Sequence, residues 1–191
     1  MADFMSARHN LVYPESNNAS IIYKNVKGKG ILTLTDDVLL ADYIYDENLE
    51  LPQWNITEEK DSVAGYACQL AEAKFRGRTW RAWFTMDIPI SDGPWKLCGL
   101  PGLILKAEDS EKHYQFTCIE IKAVSQGKPI SIRKGKRIRC TREEYIENIR
   151  LLEEDISTYV QKHGKPPLMT LQKDGSLKPL QMNVKFNYIE R

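Results

Sequence analysis

The chain has 191 residues and a mass of 22.0 kDa, the size of one domain, and we expect residues 1–191 to form a single domain. Apolar residues make up 42% and charged residues 28%, a balance typical of folded globular proteins. The 27 Lys and Arg residues nearly balance the 26 Asp and Glu residues, and no apolar run approaches the roughly 20 residues of a membrane span. The composition therefore excludes a transmembrane protein, a small disulfide scaffold and a generic nucleic-acid binder.

The N-terminus carries no basic segment followed by an apolar stretch, which is the pattern of a signal peptide. Taken by itself, this predicts either a cytosolic protein or a chain from which an export signal has been trimmed. The four cysteines are Cys68, Cys98, Cys118 and Cys140, and none belongs to a C-x-x-C pair of the kind found in zinc ribbons and thioredoxin-like sites. The sequence is compatible with four free thiols and also with one disulfide.

The first half of the chain predicts short strands. Residues 1–18 are polar and unpatterned, and we expect an irregular arm or an edge strand there. Residues 30–35 have high β-propensity, and residues 38–45 form a further apolar and aromatic run. Two hairpins follow: residues 65–75 with 79–86, and residues 103–108 with 113–121. The second strand of the first hairpin alternates apolar and polar residues, so we expect antiparallel pairing.

One segment predicts an α-helix, over residues 141–163. Thr141 and Glu144 have the spacing of a capping box, and Gly164 is followed by two prolines that end the helix. Apolar residues recur at steps of four and three, giving one apolar stripe: Tyr145, Ile149, Leu152, Ile156 and Tyr159. The pattern as a whole predicts a mostly antiparallel α+β fold with one long helix.

Catalytic patterns are missing from the sequence. The histidines, His9, His113 and His163, have no metal-ligand spacing, and no nucleophile elbow, phosphate loop or dinucleotide fingerprint is present. A nucleophilic Cys68 or Cys98 would need a neighbouring base that the sequence does not place. We therefore predict a protein that is not an enzyme and that has no cofactor and no metal.

A basic run without acidic residues spans residues 128–139. It contains Lys128, Arg133, Lys134, Lys136, Arg137 and Arg139. It has no aromatic residues of the kind that stack on single-stranded nucleic acid. We expect an exposed strand-turn-strand whose lysines protect a sheet edge, and the alternative is a contact with an anion or a lipid headgroup.

The densest local pattern lies in residues 83–105, where glycines and prolines are packed among apolar residues. Leu100-Pro101-Gly102-Leu103 has Pro and Gly at the centre, as in a type II turn with φ > 0 at the glycine. Turns normally face water, so a turn with apolar flanks must be covered. Either the core of the domain covers it, or it forms the wall of an apolar pocket.

These residues resemble the GLPGLI family, a group of bacterial cell-envelope proteins without an assigned activity. The motif that names the family is Gly99-Leu100-Pro101-Gly102-Leu103-Ile104. Further blocks similar to the family are Gly65-Tyr66-Ala67-Cys68-Gln69, Phe75-Arg76-Gly77-Arg78, Ala82-Trp83-Phe84-Thr85, Ile88-Pro89-Ile90, Gly93-Pro94-Trp95-Lys96 and Thr141-Arg142-Glu143-Glu144. The resemblance covers residues 22–160. The chain departs from the family pattern in one respect, since it carries no export signal.

The resemblance implies an exported, periplasmic or envelope protein, with a curved sheet or half-barrel like that of lipoprotein carriers packed on the helix. On this basis we expect an apolar ligand, such as an acyl chain or a hydrophobic peptide, held in the curved sheet. The expected ligand-binding residues are Trp80, Trp83, Trp95, Leu100, Pro101 and Leu103. The alternative is a scaffold that binds an envelope protein and no small molecule. Fold analogy alone does not choose between the two.

Overall fold

The computed structural model describes residues 20–122, 129–180 and 189. The chain divides into two compact units, and each is described separately. Unit 1 comprises Met1–Glu47 and Ile132–Val184, and unit 2 comprises Asn48–Ser131 and Lys185–Arg191. The single domain expected over residues 1–191 stays a prediction, and the expected arm at residues 1–18 lies outside the described residues.

Unit 1 is built on a sheet of four strands, β1 (Ile21–Lys24), β2 (Ile31–Val38), β3 (Ala41–Asn48) and β9 (Ile138–Arg139). Their order in the sheet is β1-β2-β3-β9. Strands β1 and β2 are antiparallel, whereas the short β9 pairs with β3 in parallel. Alternate residues of β2 face opposite sides, which places Leu32 and Leu34 on one face and Thr33 and Thr35 on the other.

The predicted helical segment is confirmed, but it forms two helices, α1 (Arg142–Glu154) and α2 (Ile156–Lys162). Thr141 caps α1 through the predicted capping box. Asp155 interrupts the helix because its carboxylate accepts hydrogen bonds from the backbone N–H and the hydroxyl of Thr158, so it caps α2 instead of continuing α1.

The apolar stripe of the helices faces the four-stranded sheet. Ile149, Leu152, Ile156 and Tyr159 are buried. The hydroxyl of Tyr159 donates to the carbonyl of Val38, at 3.1 Å, and Tyr145 donates to the carboxylate of Asp36. The helices therefore cover the Leu32 face of the sheet. A separate hairpin follows them, β10 (Met169–Leu171) with β11 (Leu177–Pro179).

Unit 2 contains an antiparallel sheet of five strands, β4 (Asn55–Val63), β5 (Tyr66–Phe75), β6 (Arg78–Thr85), β7 (Leu103–Asp109) and β8 (Gln115–Thr117). Their order in the sheet is β4-β5-β6-β7-β8. The two predicted hairpins are β5–β6 and β7–β8, and a bulge shifts the register between β6 and β7 at Trp83 and Phe84. The predicted mostly antiparallel α+β fold is thus confirmed. Neither sheet closes into a barrel within the described residues.

No helix in the described part of the chain has both the length and the apolar character that crossing a bilayer requires.

Candidate functional site

The segment between β6 and β7 is fixed by glycines that leave no room for a side chain. A Cβ on Gly102 would lie 1.9 Å from the carbonyl oxygen of Thr85, and a Cβ on Gly93 would lie 2.7 Å from the Cβ of Ile104. Two residues of the segment have a left-handed backbone, Trp95 with φ of 51° and Gly99 with φ of 92°, whereas Gly102 does not have φ > 0. The predicted type II turn is therefore wrong, because close approach to β6, not turn conformation, requires Gly102.

This segment lies over one face of the five-stranded sheet. Trp80 and Leu100 are fully buried there, and Trp95 packs on the indole of Trp80 with ring centroids 5.4 Å apart. The indole N–H of Trp54 donates to the carbonyl of Cys98, at 2.7 Å, which fixes the segment from the side. The apolar bend at Leu100 is thus covered by the core of unit 2, while Pro101 is exposed.

A second cluster occupies the opposite face, which we call the Trp83 face. Its buried members are Val63, Cys68, Leu70, Trp83 and Leu105, and the half-buried Tyr66, Leu103 and Cys118 pack against them. Trp83 on β6 lies directly opposite Leu70 on β5 and directly opposite Lys106 on β7. The structure therefore separates the predicted binding residues: Trp83 and Leu103 lie on this face, whereas Trp80, Trp95 and Leu100 lie on the other.

Two cations cover the Trp83 ring. The guanidinium of Arg81 lies 5.0 Å from the ring centroid, and the ammonium of Lys106 lies 4.1 Å from it. Both positions are favourable cation–π geometries. Acidic side chains surround these cations, because Arg81 pairs with Glu59, Glu72 and Glu108, and Lys106 pairs with Asp61. About one third of each cationic side chain remains exposed, 34% for Arg81 and 30% for Lys106.

The indole N–H of Trp83 is the unusual group of this face. It is buried and has no hydrogen-bond acceptor among the described residues. Buried donors in native proteins are nearly always paired, since an unpaired one costs about 1–3 kcal/mol. The face thus combines an aromatic floor, a donor without an acceptor and two cations on flexible side chains, which together suit an apolar molecule that carries an acceptor group.

No disulfide joins any of the four cysteines, all of which lie among the described residues. Burial raises the pKa of the Cys68 thiol, and burial likewise raises the pKa of the Cys140 thiol. A raised pKa reduces the thiolate fraction at neutral pH, and the thiolate is the nucleophilic form. Cys98 is buried, and its sulfur lies 3.8 Å from the carbonyl oxygen of Lys96.

Asp109, Glu111 and His113 bring three ligand-type atoms within 4.8 Å of one another. The guanidinium of Arg78 already lies there, 2.7 Å from Asp109 and 3.8 Å from Glu111. Burial acts to raise the pKa of Asp109, but the backbone N–H of Tyr114 and the Arg78 cation outweigh it and hold that pKa below its ordinary value. The group is therefore organised as a buried ion pair around Arg78.

Sequence reasoning missed the partners of Trp83. The alternation along β6 places Arg81 on the same face as Trp83, two residues away. The contact between Arg81 and Trp83 could therefore have been predicted from the period of the strand. The position of Lys106 could not be predicted in this way. Lys106 lies opposite Trp83 because of the bulge between β6 and β7, and no glycine or other turn residue in the sequence indicates that bulge.

One segment of unit 2 matches a known protein family. Residues 74–106, which run from the end of β5 to β7, match the profile of a family described as "Protein of unknown function (Porph_ging)". No curated protein matches the chain. Two similar solved structures are titled "Structure of PNGF-II in P21 space group" and "Structure of PNGF-II in C2 space group".

The P21 structure has 17% identity and a TM-score of 0.47, and the match covers 69% of this chain and 24% of that one. The C2 structure has 18% identity and a TM-score of 0.46, and the match covers 69% of this chain and 25% of that one. The chain thus spans about a quarter of the length of these proteins.

Proposed function

We propose that the chain is a non-enzymatic binding protein of the bacterial cell envelope, and that the Trp83 face holds an apolar ligand with a hydrogen-bond acceptor. An acyl chain with its carboxylate and a hydrophobic peptide both fit this description. The envelope location rests on the resemblance of residues 22–160 to the GLPGLI family. The observation that supports the ligand is the buried indole N–H of Trp83, which has no acceptor among the described residues.

The surroundings of Trp83 favour this ligand class. Leu103, Tyr66 and Cys118 are half-buried and supply apolar surface beside the ring. An acceptor atom delivered to the indole N–H would remove the cost of the unpaired donor. Arg81 and Lys106 have flexible, partly exposed side chains that can move aside and open the ring face to a ligand. The cluster around Trp80 and Trp95 is already packed under its own segment and supports binding less well.

Titration with a fluorescent fatty acid tests the proposal. We expect saturable binding to the wild type and about fivefold weaker binding to Trp83→Phe, which keeps an aromatic ring but loses the donor of one hydrogen bond. Trp95→Phe is the matched control, because Trp95 belongs to the cluster on the other face, and its affinity should equal that of the wild type.

Two results would contradict the proposal. One is the lack of saturable binding to the folded wild type. The other is equal weakening by Trp83→Phe and Trp95→Phe, with both variants folded by circular dichroism, which would mean that the Trp83 face is not the site.

The alternative, a scaffold that binds an envelope protein, is supported by β4. This nine-residue strand lies at one end of the sheet order, and most of its side chains are exposed. A strand at a sheet edge presents unpaired backbone N–H and C=O groups, to which a partner strand can bind. A photo-cross-linker at Glu58 on β4 should then capture one reproducible envelope protein, and the exposed Lys165 serves as the control position. Equal capture from both positions would count against the scaffold.

A further inference from the structure

The basic run follows a defined path across the sheet of unit 1. The backbone N–H of Arg133 donates to the hydroxyl of Tyr23 on β1, at 3.1 Å, while Ile138 and Arg139 pair with β3 on the far side of the sheet. The five residue steps from 133 to 138 span roughly 17 Å when extended, and the three strand spacings from β1 to β9 span about 14 Å. We call residues 133–139 the basic strap.

The strap crosses the face opposite to the helices. Tyr23 pairs with Thr33, and the hydroxyl of Thr33 donates to Asp46, at 2.6 Å. Thr33 alternates with Leu32 and Leu34, which point towards α1 and α2, so Tyr23, Thr33 and the strap share the other face. The strap is held in a bend, because the guanidinium of Arg137 donates to the carbonyl of Arg133, at 2.6 Å.

The strap and the turn between β1 and β2 meet at one carboxylate. Lys27 binds Asp46 at 2.7 Å, and Arg139 binds the same side chain at 3.1 Å. Lys27 therefore adjoins the strap, and together they carry six cations: Lys27, Arg133, Lys134, Lys136, Arg137 and Arg139. Lys134 and Lys136 are exposed, and neither makes an ion pair with any residue that the structure describes.

Few acidic groups oppose these cations. Asp46 is the carboxylate that contacts them. Asp37 and Asp42 point to the same face, and Asp42 lies beside the Arg137 end of the strap, because the neighbouring Tyr43 pairs with Ile138. Three carboxylates therefore face the six cations, which leaves a positive excess on this surface. The chain as a whole has a net charge of +1, so this surface concentrates positive charge that the rest of the molecule balances.

The chemistry of the strap selects its partner. Residues 133–137 are four cations and Gly135, and the strap as a whole has no aromatic ring for a nucleic-acid base and Ile138 as its apolar residue, too little for the apolar centre of a protein interface. Attraction to a bilayer of anionic lipids needs only an array of cations, each contributing a factor of about five. We propose that the basic strap docks unit 1 onto the phosphate headgroups of an anionic lipid bilayer.

Co-sedimentation of the full chain with vesicles tests this inference. We expect binding to vesicles of equal parts phosphatidylglycerol and phosphatidylcholine, little binding to pure phosphatidylcholine, and loss of binding as salt is added. The double variant K134Q/K136Q should bind about 25-fold more weakly, because it lacks two cations. The control K60Q/K74Q removes two exposed cations of unit 2 and should bind like the wild type.

Three results would overturn the inference: equal binding of the wild type to both vesicle types, equal binding of K134Q/K136Q and K60Q/K74Q, or binding to soluble polyphosphate without binding to vesicles. The last would assign the strap to a dissolved polyanion. The outcome is independent of the proposed apolar ligand, since K134Q/K136Q leaves the Trp83 face intact and should bind the fluorescent fatty acid normally.

Discussion

At Gly102 the backbone passes so close to the end of β6 that a methyl group would overlap the carbonyl of Thr85, at 1.9 Å. We expect Gly102→Ala to lower the free energy of unfolding by about 3 kcal/mol or more, at the upper end of the overpacking range, because backbone atoms cannot rotate away. Urea unfolding measures this. Gly65→Ala is the control, since Gly65 has open space around it and only its positive φ opposes a side chain, which costs about 1 kcal/mol. Equal losses for both variants would contradict the steric account.

Asp36 makes the stability of unit 1 depend on pH. Burial raises the pKa of its carboxyl above the ordinary 3.8, although the hydrogen bond from Tyr145 acts in the opposite direction. A raised pKa in the folded state means that folding favours the protonated form, so stability is retained below the ordinary pKa and is lost as pH rises through the folded-state value.

We therefore expect Asp36→Asn, which mimics the protonated carboxyl, to raise the thermal midpoint at about pH 7 and to have little effect at about pH 3. Tyr145→Phe should lower the midpoint at about pH 7, because the buried carboxylate then loses its donor. Thermal unfolding followed by circular dichroism provides the measurement. An equal effect of Asp36→Asn at both pH values would show that its charge is not the cause.

At the scale of elements, the capping of α1 illustrates how local signals position a helix. The hydroxyl of Thr141 accepts from the backbone N–H of Glu144, at 3.1 Å, and the carboxylate of Glu144 accepts from the backbone N–H of Thr141, at 2.8 Å. We expect Thr141→Ala to cost about 1 kcal/mol of unfolding free energy and Thr141→Ser to cost little, because serine keeps the hydroxyl. A loss of equal size for serine would point to packing of the methyl group instead.

At the scale of the whole molecule, the chain returns to unit 2 near its end. The carbonyl of Ile189 accepts from Nε of Arg78, at 2.9 Å, and its side chain packs against the core cluster of Trp80. Deleting residues 185–191 should therefore destabilise unit 2 by about 1–3 kcal/mol, since a buried donor loses its acceptor.

Tryptophan fluorescence during urea unfolding can follow unit 2, because the four tryptophans, at positions 54, 80, 83 and 95, all belong to it. Ile189→Ala is the control that keeps the backbone acceptor and removes only the side chain. If the deletion and Ile189→Ala lowered the free energy of unfolding by the same amount, the hydrogen bond to Arg78 would contribute nothing measurable to stability.

Short-range patterns in the amino-acid sequence predict the local elements of this protein. Alternation along β6, the capping box at Thr141 and the apolar stripe of the helices are signals between residues close together in the sequence, so local physical rules are enough to interpret them. The break at Asp155 was readable in principle, since Thr158 follows at the spacing of a second cap, but the continuous apolar stripe concealed it.

The face of the sheet on which each residue lies depends on contacts between distant parts of the chain. Trp80 and Trp83 are three residues apart and lie on opposite faces of one sheet, and Lys106 reaches Trp83 through a bulge that shifts the strand register. The strap likewise exists because distant strands bring Tyr23 and Asp46 to residues 133–139. Such contacts depend on pairing between segments far apart in the chain, and the free energy of that pairing comes from packing that no local pattern encodes.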